Sequence, residues 1–275
     1  MIIYFTGTGN TGMVARRLAD ALGEDRIVSL DHRLNAPYQP LEAVGEGERV
    51  VWLFPTYSWD IPPVVAKYIA GVDLPGGSHA RHYMVTTCGD DIGLTHKRWR
   101  KAMKRRGWQA EGAYSVIMPN TYTLMKGFDT DPEQLAAEKL SAMPARVKDI
   151  AESIKTHYGE EVNDVKTGRW AWVKTRVIAP WFHTFDMSAK PFRVDPEKCT
   201  RCGRCVVECP MKNIAIQRSG YPKWGDNCAL CLRCYHQCRL KAVEYGDETK
   251  WKGRYLCPET IKRTEDTYKR TQRQE

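Results

Sequence analysis

Two runs of cysteine near the end of this 275-residue chain constrain its fold more than any other feature of the sequence. Each run has the spacing C-x2-C-x2-C-x3-C, and a proline follows the first run. Proteins that bind 4Fe–4S clusters typically have this pattern, because closely spaced thiolates wrap around one side of a cubane while another ligand arrives from a different part of the chain. The runs contain Cys199, Cys202, Cys205 and Cys209, and Cys228, Cys231, Cys234 and Cys238.

Two other interpretations of the cysteine runs remain open. A zinc ribbon also uses C-x2-C pairs, but each zinc ion takes four ligands, which leaves the third cysteine of each run unexplained. A disulfide framework requires an oxidising compartment, and nothing in the sequence marks the chain for export. We therefore favour iron–sulfur clusters.

Residues 191–246 resemble the bacterial two-cluster ferredoxins. The resemblance implies that the first three cysteines of each run are joined by the last cysteine of the other run. The first predicted ligand set is Cys199, Cys202, Cys205 and Cys238, and the second is Cys228, Cys231, Cys234 and Cys209. The chain departs from the usual pattern where Arg239, rather than proline, follows Cys238, which loosens that turn or places a positive charge near a cluster.

The chain begins with a strand, a loop rich in glycine and threonine, and a helix. Residues 1–5 form an apolar run, residues 6–12 read TGTGNTG, and residues 13–22 have apolar positions at helical spacing. The backbone N–H groups at the start of a helix have no intrahelical partner and attract anions. The arrangement therefore predicts a phosphate site between the strand and the helix.

Three kinds of phosphate-binding loop compete for this segment. A P-loop requires a lysine that is absent here, so a triphosphate site is not expected. The dinucleotide pattern G-x-G-x-x-G is matched by Gly7, Gly9 and Gly12, with Asp31 at a suitable distance for a ribose contact. The third pattern, T/S-x-T-G-x-T, is similar to the phosphate loop of flavodoxins, which bind FMN.

We favour the flavodoxin pattern, because three threonines in six residues suit a terminal monophosphate better than a dinucleotide turn. On this interpretation Asp31 is a surface acid at the end of a strand. The predicted phosphate-binding residues are Thr6, Thr8, Gly9, Asn10 and Thr11.

The resemblance to flavodoxins implies that the loops after the third and fourth strands hold the flavin ring. Tyr57 and Trp59 are expected to stack on the ring, and the backbone around Gly89 to reach its polar edge. The alternative is that these aromatics pack in the core near two prolines. Cys88 is expected to be a small residue that tolerates close approach, or else a thiol that tunes the flavin. The predicted residues are Pro55, Thr56, Tyr57, Ser58, Trp59, Thr87, Cys88, Gly89 and Asp90.

The apolar runs predict strands at 1–5, 26–30, 50–54, 82–87 and 113–118, with helices at 11–22, 62–71, 95–106 and 132–155. Alternating strands and helices indicate an α/β fold with a parallel sheet and a ligand at the carboxyl ends of its strands. We therefore expect a five-stranded flavodoxin-like domain over 1–155, an aromatic connector over 156–190, a small α+β two-cluster ferredoxin domain over 191–246, and a C-terminal extension over 247–275, polar and charged after Pro258.

The connector is aromatic and mildly basic. Its apolar stretch is short and contains Pro180, so we expect it to pack between the two domains rather than on a membrane. No run approaches the roughly 20 apolar residues of a membrane-spanning helix. The predicted sheet begins at residue 2, which leaves no room for a signal peptide, so we expect a cytoplasmic protein.

The formal net charge of +9 overstates the basic character of a chain that holds these cofactors. Two oxidised clusters with their thiolates and one FMN phosphate each contribute about −2, which leaves roughly +3. A nucleic-acid partner is therefore not expected. The predicted helix from Lys97 to Arg106 carries seven cations, which form a solvated face or a docking patch for an acidic redox partner.

The whole chain resembles the flavodoxin–ferredoxin fusion proteins of anaerobic bacteria and archaea. The resemblance implies an electron carrier with one FMN and two 4Fe–4S clusters, whose partner is a ferredoxin or another iron–sulfur enzyme. The alternative is an FMN-dependent reductase of a quinone, a nitro compound or a corrinoid, for which the sequence names no catalytic residue. The oligomeric state is left open.

Overall fold

A parallel six-stranded sheet with the order β2-β1-β3-β4-β5-β6 forms the first part of the molecule. The structure is a computed structural model, and it describes residues 1–35, 39–157, 159–186 and 188–261. Every pairing in this sheet is parallel, as expected for strands joined by crossover helices. The strands are β1 (Ile2–Tyr4), β2 (Ile27–Ser29), β3 (Arg49–Pro55), β4 (Arg81–Cys88), β5 (Gln109–Ile117) and β6 (Val162–Asp164).

Four helices cover the two faces of the sheet. They are α1 (Asn10–Leu22), α2 (Pro63–Gly71), α3 (Thr95–Arg105) and α4 (Glu133–Thr156). Helices α1 and α4 bury Leu18 and Ile150 on one face, while α2 and α3 bury Ile69 and Trp99 on the other. Helix α1 ends at Gly23, whose φ of 64° allows the left-handed cap that only glycine adopts without strain. The five predicted strands and four predicted helices are confirmed.

The sixth strand, β6, was not predicted from the sequence. It contains Asn163 and Asp164, residue types that are rare in strands, so its sequence carries no strand signal. Tertiary contacts hold it instead: the Arg146 guanidinium donates to the carboxylate and the carbonyl of Asp164, and the Arg100 guanidinium donates to the carbonyl of Val162. The strand extends the sheet beside β5 and uses part of the predicted connector.

The rest of the connector is helical. Two short α-helical turns, α5 (Ala171–Val173) and α6 (Ala179–Trp181), alternate with π-helical turns at Lys174–Ile178 and Phe182–Asp186. We call the whole stretch the connector helix. The Thr175 hydroxyl accepts a hydrogen bond from the Leu94 N–H at 2.8 Å and donates to the Trp59 carbonyl at 3.1 Å, which fixes the inner side of the helix against the sheet domain. Within the described ranges, every helix is too short or too polar to span a bilayer.

The cysteine-rich part is built from very short elements. Strand β7 pairs with β10 and strand β8 with β9, in two separate antiparallel ribbons. One-turn helices stand within the two cysteine runs. The elements are β7 (Phe192–Val194), α7 (Arg204–Val207), β8 (Ile214–Ile216), β9 (Pro222–Trp224), α8 (Arg233–His236) and β10 (Val243–Tyr245).

The two parts share one apolar core. The cluster of buried side chains on the α2–α3 face of the sheet continues through Leu230 and Tyr235 into the cysteine-rich part. Residues 247–261, which we call the C-terminal strap, then return to the sheet domain. In the strap, the Cys257 N–H donates to the Thr8 carbonyl at 3.0 Å, and Cys257 is buried against α1 and α4. The remainder of the predicted C-terminal extension, 262–275, lies outside the described residues.

Candidate cofactor sites

The phosphate loop lies between β1 and α1, as the sequence predicts. Gly9 precedes the helix with a φ of 106°, and no side chain caps the first turn of α1. The Thr6 hydroxyl is buried and has no hydrogen-bond partner in the described part of the chain. A buried donor without a partner is costly, so the loop offers both a hydroxyl and the amides of a helix start to an anion.

A cavity at the carboxyl edge of the sheet brings three predicted loops together. Most of the predicted FMN-binding residues line it, and two threonine pairs join the loops: Thr11 with Thr87 at 2.7 Å and Thr56 with Thr86 at 2.9 Å between hydroxyl oxygens. The predicted residues that line the cavity are Thr6, Thr8, Asn10, Thr11, Pro55, Thr56, Tyr57, Ser58, Thr87, Cys88 and Gly89.

Three predicted residues lie away from the cavity lining. Gly9 faces the C-terminal strap, where a Cβ would stand 2.8 Å from the Cβ of Cys257. Asp90 is exposed. Trp59 lies within a tight turn in which Tyr57 and Asp60 exchange backbone hydrogen bonds of 2.9 and 3.0 Å. The Lys174 ammonium lies 5.0 Å from the Trp59 ring. The turn therefore directs Trp59 under the connector helix, so of the two predicted stacking residues it is Tyr57 that faces the cavity.

The loop after β5 completes the cavity and was not assigned from the sequence. Residues 118–122 line it, together with Phe182 of the connector helix. The Thr121 carbonyl also accepts a hydrogen bond from His236 Nε2 at 2.8 Å. The sequence signal for this loop is its position at the carboxyl end of a strand, where parallel sheets place their ligand loops. In the structure it borders the cavity and contacts the cysteine-rich part as well.

Cys88 lies in the cavity wall as a protonated thiol. Burial raises its pKa to about 12, with further contributions from Asp91 and Asp90. A thiolate is the reactive form of cysteine, so this thiol has little nucleophilic character at neutral pH. The environment favours the interpretation of Cys88 as a small residue that permits close approach.

The phosphate loop suits the phosphate group of FMN as it stands, whereas the space for the flavin ring is too small. The orphaned Thr6 hydroxyl and the uncapped start of α1 match a phosphate monoester, which carries several acceptor oxygens. The cavity volume is about 130 Å³, below the roughly 300–1,000 Å³ of pockets that enclose molecules of this size. Binding of the flavin ring therefore requires wall side chains such as Tyr57 and Phe182 to move outwards.

The cysteines of the two runs form two spatial groups. The pKa of Cys205 is raised to about 11, first by burial and then by three neighbouring cysteines, Cys202, Cys238 and Cys199. Burial, followed by three other cysteines, raises the pKa of Cys234 well above its ordinary value, and those neighbours are Cys231, Cys228 and Cys209. We call Cys199, Cys202, Cys205 and Cys238 cysteine group 1, and Cys209, Cys228, Cys231 and Cys234 cysteine group 2. Each group combines three cysteines of one run with the last cysteine of the other.

The sulfurs of both groups accept hydrogen bonds. Backbone N–H groups donate to the sulfurs of Cys199, Cys209, Cys228 and Cys238 at 3.2–3.4 Å. The Trp224 indole N–H donates to the Cys234 sulfur at 3.4 Å. Such donors stabilise the negative charge of thiolates and tune iron–sulfur clusters.

The donor set suits iron–sulfur clusters better than a single metal ion. Two groups of four cysteines supply the thiolates that two cubane clusters take. The cysteines of group 1 face a cavity of about 930 Å³. Bound iron would supply the positive charge that holds thiols with such raised pKa values in the thiolate form.

Arg233 connects the phosphate loop to cysteine group 2. It stands between Cys231 and Cys234, is buried, and donates to the carbonyls of Thr6 at 2.7 Å and Gly7 at 2.9 Å. It also donates to both carboxylate oxygens of Asp31, at 2.8 and 3.1 Å. Burial alone would lower the pKa of Arg233, but the charge and hydrogen bonds of Asp31, together with Cys231 and Glu208, outweigh it and raise that pKa above its ordinary value. Asp31 is therefore a partner of the cysteine-rich part rather than a free surface acid.

A parallel sheet with the strand order 2-1-3-4-5 and a ligand cavity beyond its carboxyl edge is the flavodoxin-like fold. Here a sixth strand extends it, and a small domain with two 4Fe–4S-type cysteine groups is joined to it. The chain thus joins a flavodoxin-like fold to a 4Fe–4S-type cysteine domain, which is the combination that the sequence predicts. Residues 191–216 match the family described as a 4Fe–4S binding domain.

Known proteins are similar to separate parts of the chain. Pyruvate synthase subunit PorD of Methanocaldococcus jannaschii is 34% identical over 58 residues, which cover 21% of this chain and 67% of that subunit. A putative flavoprotein from Bacteroides uniformis aligns at 14% identity with a TM-score of 0.35, over 42% of this chain and 88% of its own. A short-chain flavodoxin associated with a bacterial microcompartment aligns at 17% identity and a TM-score of 0.35, over 56% of this chain and 95% of its own. The flavodoxin-like assignment rests on the strand order, not on these weak alignments.

Proposed function

We propose that this iron–sulfur electron-transfer protein carries electrons between FMN in the cavity and two 4Fe–4S clusters, one in each cysteine group, and exchanges them with a redox protein. One observation carries the proposal: Leu230, Cys231 and Leu232 of the second cysteine run line the cavity that three flavodoxin-like loops form. A flavin exchanges two electrons and each cluster exchanges one, so a protein that holds them side by side links two-electron to one-electron chemistry.

The phosphate end of FMN would be held by the loop and the start of α1. Thr6, Thr8, Asn10 and Thr11 surround that end of the cavity, and the amides of α1 add partial positive charge. The Arg233 guanidinium fixes the loop from behind by its bonds to the carbonyls of Thr6 and Gly7. The same side chain therefore sets the position of the loop and of the second cysteine run relative to each other.

Gly7 permits the close approach of the phosphate loop and the second cysteine run. A Cβ at this position would stand 2.5 Å from the carbonyl oxygen of Cys231, a distance that atoms do not tolerate. Any larger residue would push Cys231 away from the cavity. Tyr57 lies beside the same cysteines. Its burial raises its pKa well above the ordinary value, and the neighbouring Cys231 and Cys228 raise it further.

The two cysteine groups differ in their access to solvent. In group 2, Cys209 and Cys234 are buried, and Cys231 faces the flavin cavity. In group 1, Cys202 is exposed. We infer that electrons pass between FMN and group 2, and leave or enter the protein at group 1. The partner at that end is an iron–sulfur protein, an inference supported by the similarity of this part of the chain to a subunit of pyruvate synthase.

Reduction of a small molecule at the flavin is the alternative function. It requires open space over the flavin face. Instead, the backbone segment of the second cysteine run at Leu230, Cys231 and Leu232 forms part of the cavity wall and covers that side of the flavin site. The covered cavity therefore supports the carrier.

Anaerobic reconstitution followed by a redox titration, read by visible absorbance and electron paramagnetic resonance, tests the proposal. We expect about eight irons and one FMN per chain, and signals from two clusters. A protein that binds zinc in place of iron, or one that takes up iron but no flavin, would contradict it. Turnover of quinones at rates that exceed electron delivery to an iron–sulfur protein would favour the reductase.

A further inference from the structure

The C-terminal strap carries an arginine that is almost completely buried. The side chain of Arg254 is 9% exposed, and its guanidinium lies over the ring of Tyr235, the residue that follows Cys234 of group 2. One nitrogen of this guanidinium, Nη2, donates to the Val243 carbonyl at 2.9 Å and to the Glu244 carboxylate at 3.1 Å. The strap therefore places a cation against the short helix α8, which contains Cys234.

Two nitrogens of the Arg254 guanidinium donate to no described residue. Nε and Nη1 are both buried, yet neither has a hydrogen-bond partner in the described part of the chain. Arg233, the buried arginine on the other side of the same cysteine, uses all three of its guanidinium nitrogens. Burial lowers the pKa of Arg254 to about 10 and the charge of Cys234 opposes this shift, so the group stays protonated at neutral pH. Buried charged donors without an acceptor are costly, so the two nitrogens require a negatively charged partner.

A cluster in cysteine group 2 would supply that partner. Its sulfides and thiolates carry net negative charge, and reduction adds one more negative charge. Hydrogen bonds to the sulfurs and nearby cations stabilise the reduced form, because they offset this added charge. The acid of the ion pair is held differently: Glu244 is buried, and its second oxygen accepts from the Thr249 hydroxyl. Glu244 therefore anchors Nη2 and leaves the other two nitrogens to donate elsewhere.

We propose that Arg254 donates to the cluster held by cysteine group 2 and raises the reduction potential of that cluster. The inference rests on the proposed function, because it requires a cluster in this group. Glu244 is a positioning residue that also offsets part of the arginine charge. Since Cys231 of the same group lines the flavin cavity, Arg254 favours the transfer of one electron to this cluster, and FMN is the group that loses the electron.

Redox titration of the reconstituted full-length protein, followed by electron paramagnetic resonance, tests the proposal. In Arg254→Met one cluster should become harder to reduce. At a fixed potential the ratio of its reduced to its oxidised form should fall about tenfold, which lowers its midpoint potential by about 59 mV. In Glu244→Gln the same midpoint should rise, because the arginine keeps its charge and loses the carboxylate that offsets it. Altered packing alone does not predict opposite shifts of one cluster.

Two further variants separate charge from structure. Arg254→Lys keeps the positive charge and should retain most of the wild-type potential. Arg193→Met is the matched control: Arg193 stands opposite Glu244 on the neighbouring strand and pairs with Asp247. Its side chain is 47% exposed, so water screens its charge and both cluster midpoints should stay at their wild-type values. Unchanged iron and FMN contents show that each variant folds.

Unshifted midpoints in Arg254→Met overturn the proposal, and so do shifts of the same sign in Arg254→Met and Glu244→Gln. If Arg254→Met loses its iron, the Glu244→Gln variant decides: a higher midpoint supports the proposal, and an unchanged or lower one overturns it. A wild-type protein that takes up only one cluster would contradict the proposed function, and this inference with it. Unshifted midpoints in a protein with both clusters would contradict the role of Arg254 alone.

Discussion

The folded states of the sheet domain and the cysteine-rich domain are stabilised by different interactions. The sheet domain buries large side chains between layers of regular structure, among them Trp52, Tyr83 and Trp99, each at most 1% exposed. The cysteine-rich domain has strands of three residues and helices of four, and Tyr235 is its one described large side chain buried to a similar degree. The difference shows that burial can hold the first domain together, whereas the second depends on its ligands and on its neighbour.

Small domains bury too little apolar surface to offset the conformational entropy of folding, and metal binding then supplies part of the folding free energy. Burial raises the pKa values of Cys205, Cys228 and Cys231, so without iron these three are neutral thiols that no metal holds in place. The shared core and the C-terminal strap supply the rest, by tying the second domain to the first.

Removal of iron should unfold the cysteine-rich domain and leave the sheet domain folded. With its iron chelated, the protein should lose protease resistance in 191–246, while the sheet domain keeps its resistance, because only the second domain loses ligands that hold it folded. Limited proteolysis with mass spectrometry of the fragments measures this. Removal of FMN alone is the control and should leave 191–246 protected. Equal protection of that segment with and without iron would show that the shared core is sufficient.

Replacement of Arg233 should loosen the junction between the domains. Arg233→Met leaves the carbonyls of Thr6 and Gly7 without their donor and Asp31 without its ion pair, so the free energy of unfolding should fall by about 2–4 kcal/mol. Anaerobic urea unfolding measures the loss, and FMN affinity should fall with it. Arg239→Met is the matched control, since Arg239 is exposed, and it should change stability by less than about 0.5 kcal/mol. Equal effects of the two variants would contradict the role of Arg233.

The stability of the sheet domain should vary with pH because of one buried histidine, His82. Burial lowers the pKa of His82 to about 4, and its ring accepts from the Trp52 indole N–H at 3.0 Å and donates to the Gly77 carbonyl at 2.8 Å. The unfolded chain therefore binds a proton near the ordinary pKa of 6.5, before the folded one does. The stability that neutral His82 contributes is therefore complete above the ordinary pKa of 6.5 and is lost as the pH falls towards the folded-state pKa of about 4.

Between about pH 7.5 and about pH 5.5, this group should remove about 1 kcal/mol of stability. Thermal unfolding at the two pH values measures the difference. In His82→Gln the pH dependence should shrink by that amount, while His79→Gln, which changes an exposed histidine, should keep it. An identical pH dependence in the two variants would show that His82 is not the group responsible.

The smallest effect is expected at Cys88. Because burial keeps it a thiol, Cys88→Ala should leave the flavin midpoint potential unchanged within error and cost about 1 kcal/mol of stability through the small cavity it creates. A redox titration of the flavin compares the variant with the wild type. A clear shift of the potential would assign Cys88 a direct role at the flavin.

Local pattern was enough to predict five of the six strands of the sheet, the four helices that cover it, and the cysteines that form the two groups. The spacing of the cysteines indicated two 4Fe–4S sites, and the structure brings these cysteines into two groups that each cross between the runs. The alternation of apolar runs and helical segments predicted a parallel sheet and therefore the edge at which the flavin loops meet. These features follow from short-range spacing, which backbone geometry converts directly into strands, helices and ligand turns.

The sequence by itself thus determined most elements of the sheet domain, three of the loops that meet at the sheet edge and the spacing of the cysteines. Only the tertiary structure decided how the two domains face each other: that Cys231 lines the flavin cavity, that Trp59 turns away from it, that Arg233 pairs with Asp31, and that Arg254 of the strap lies over Tyr235. Each of these depends on contacts between residues far apart in the chain. Local spacing does not encode such contacts, because they arise from the mutual packing of surfaces that form only after the elements themselves.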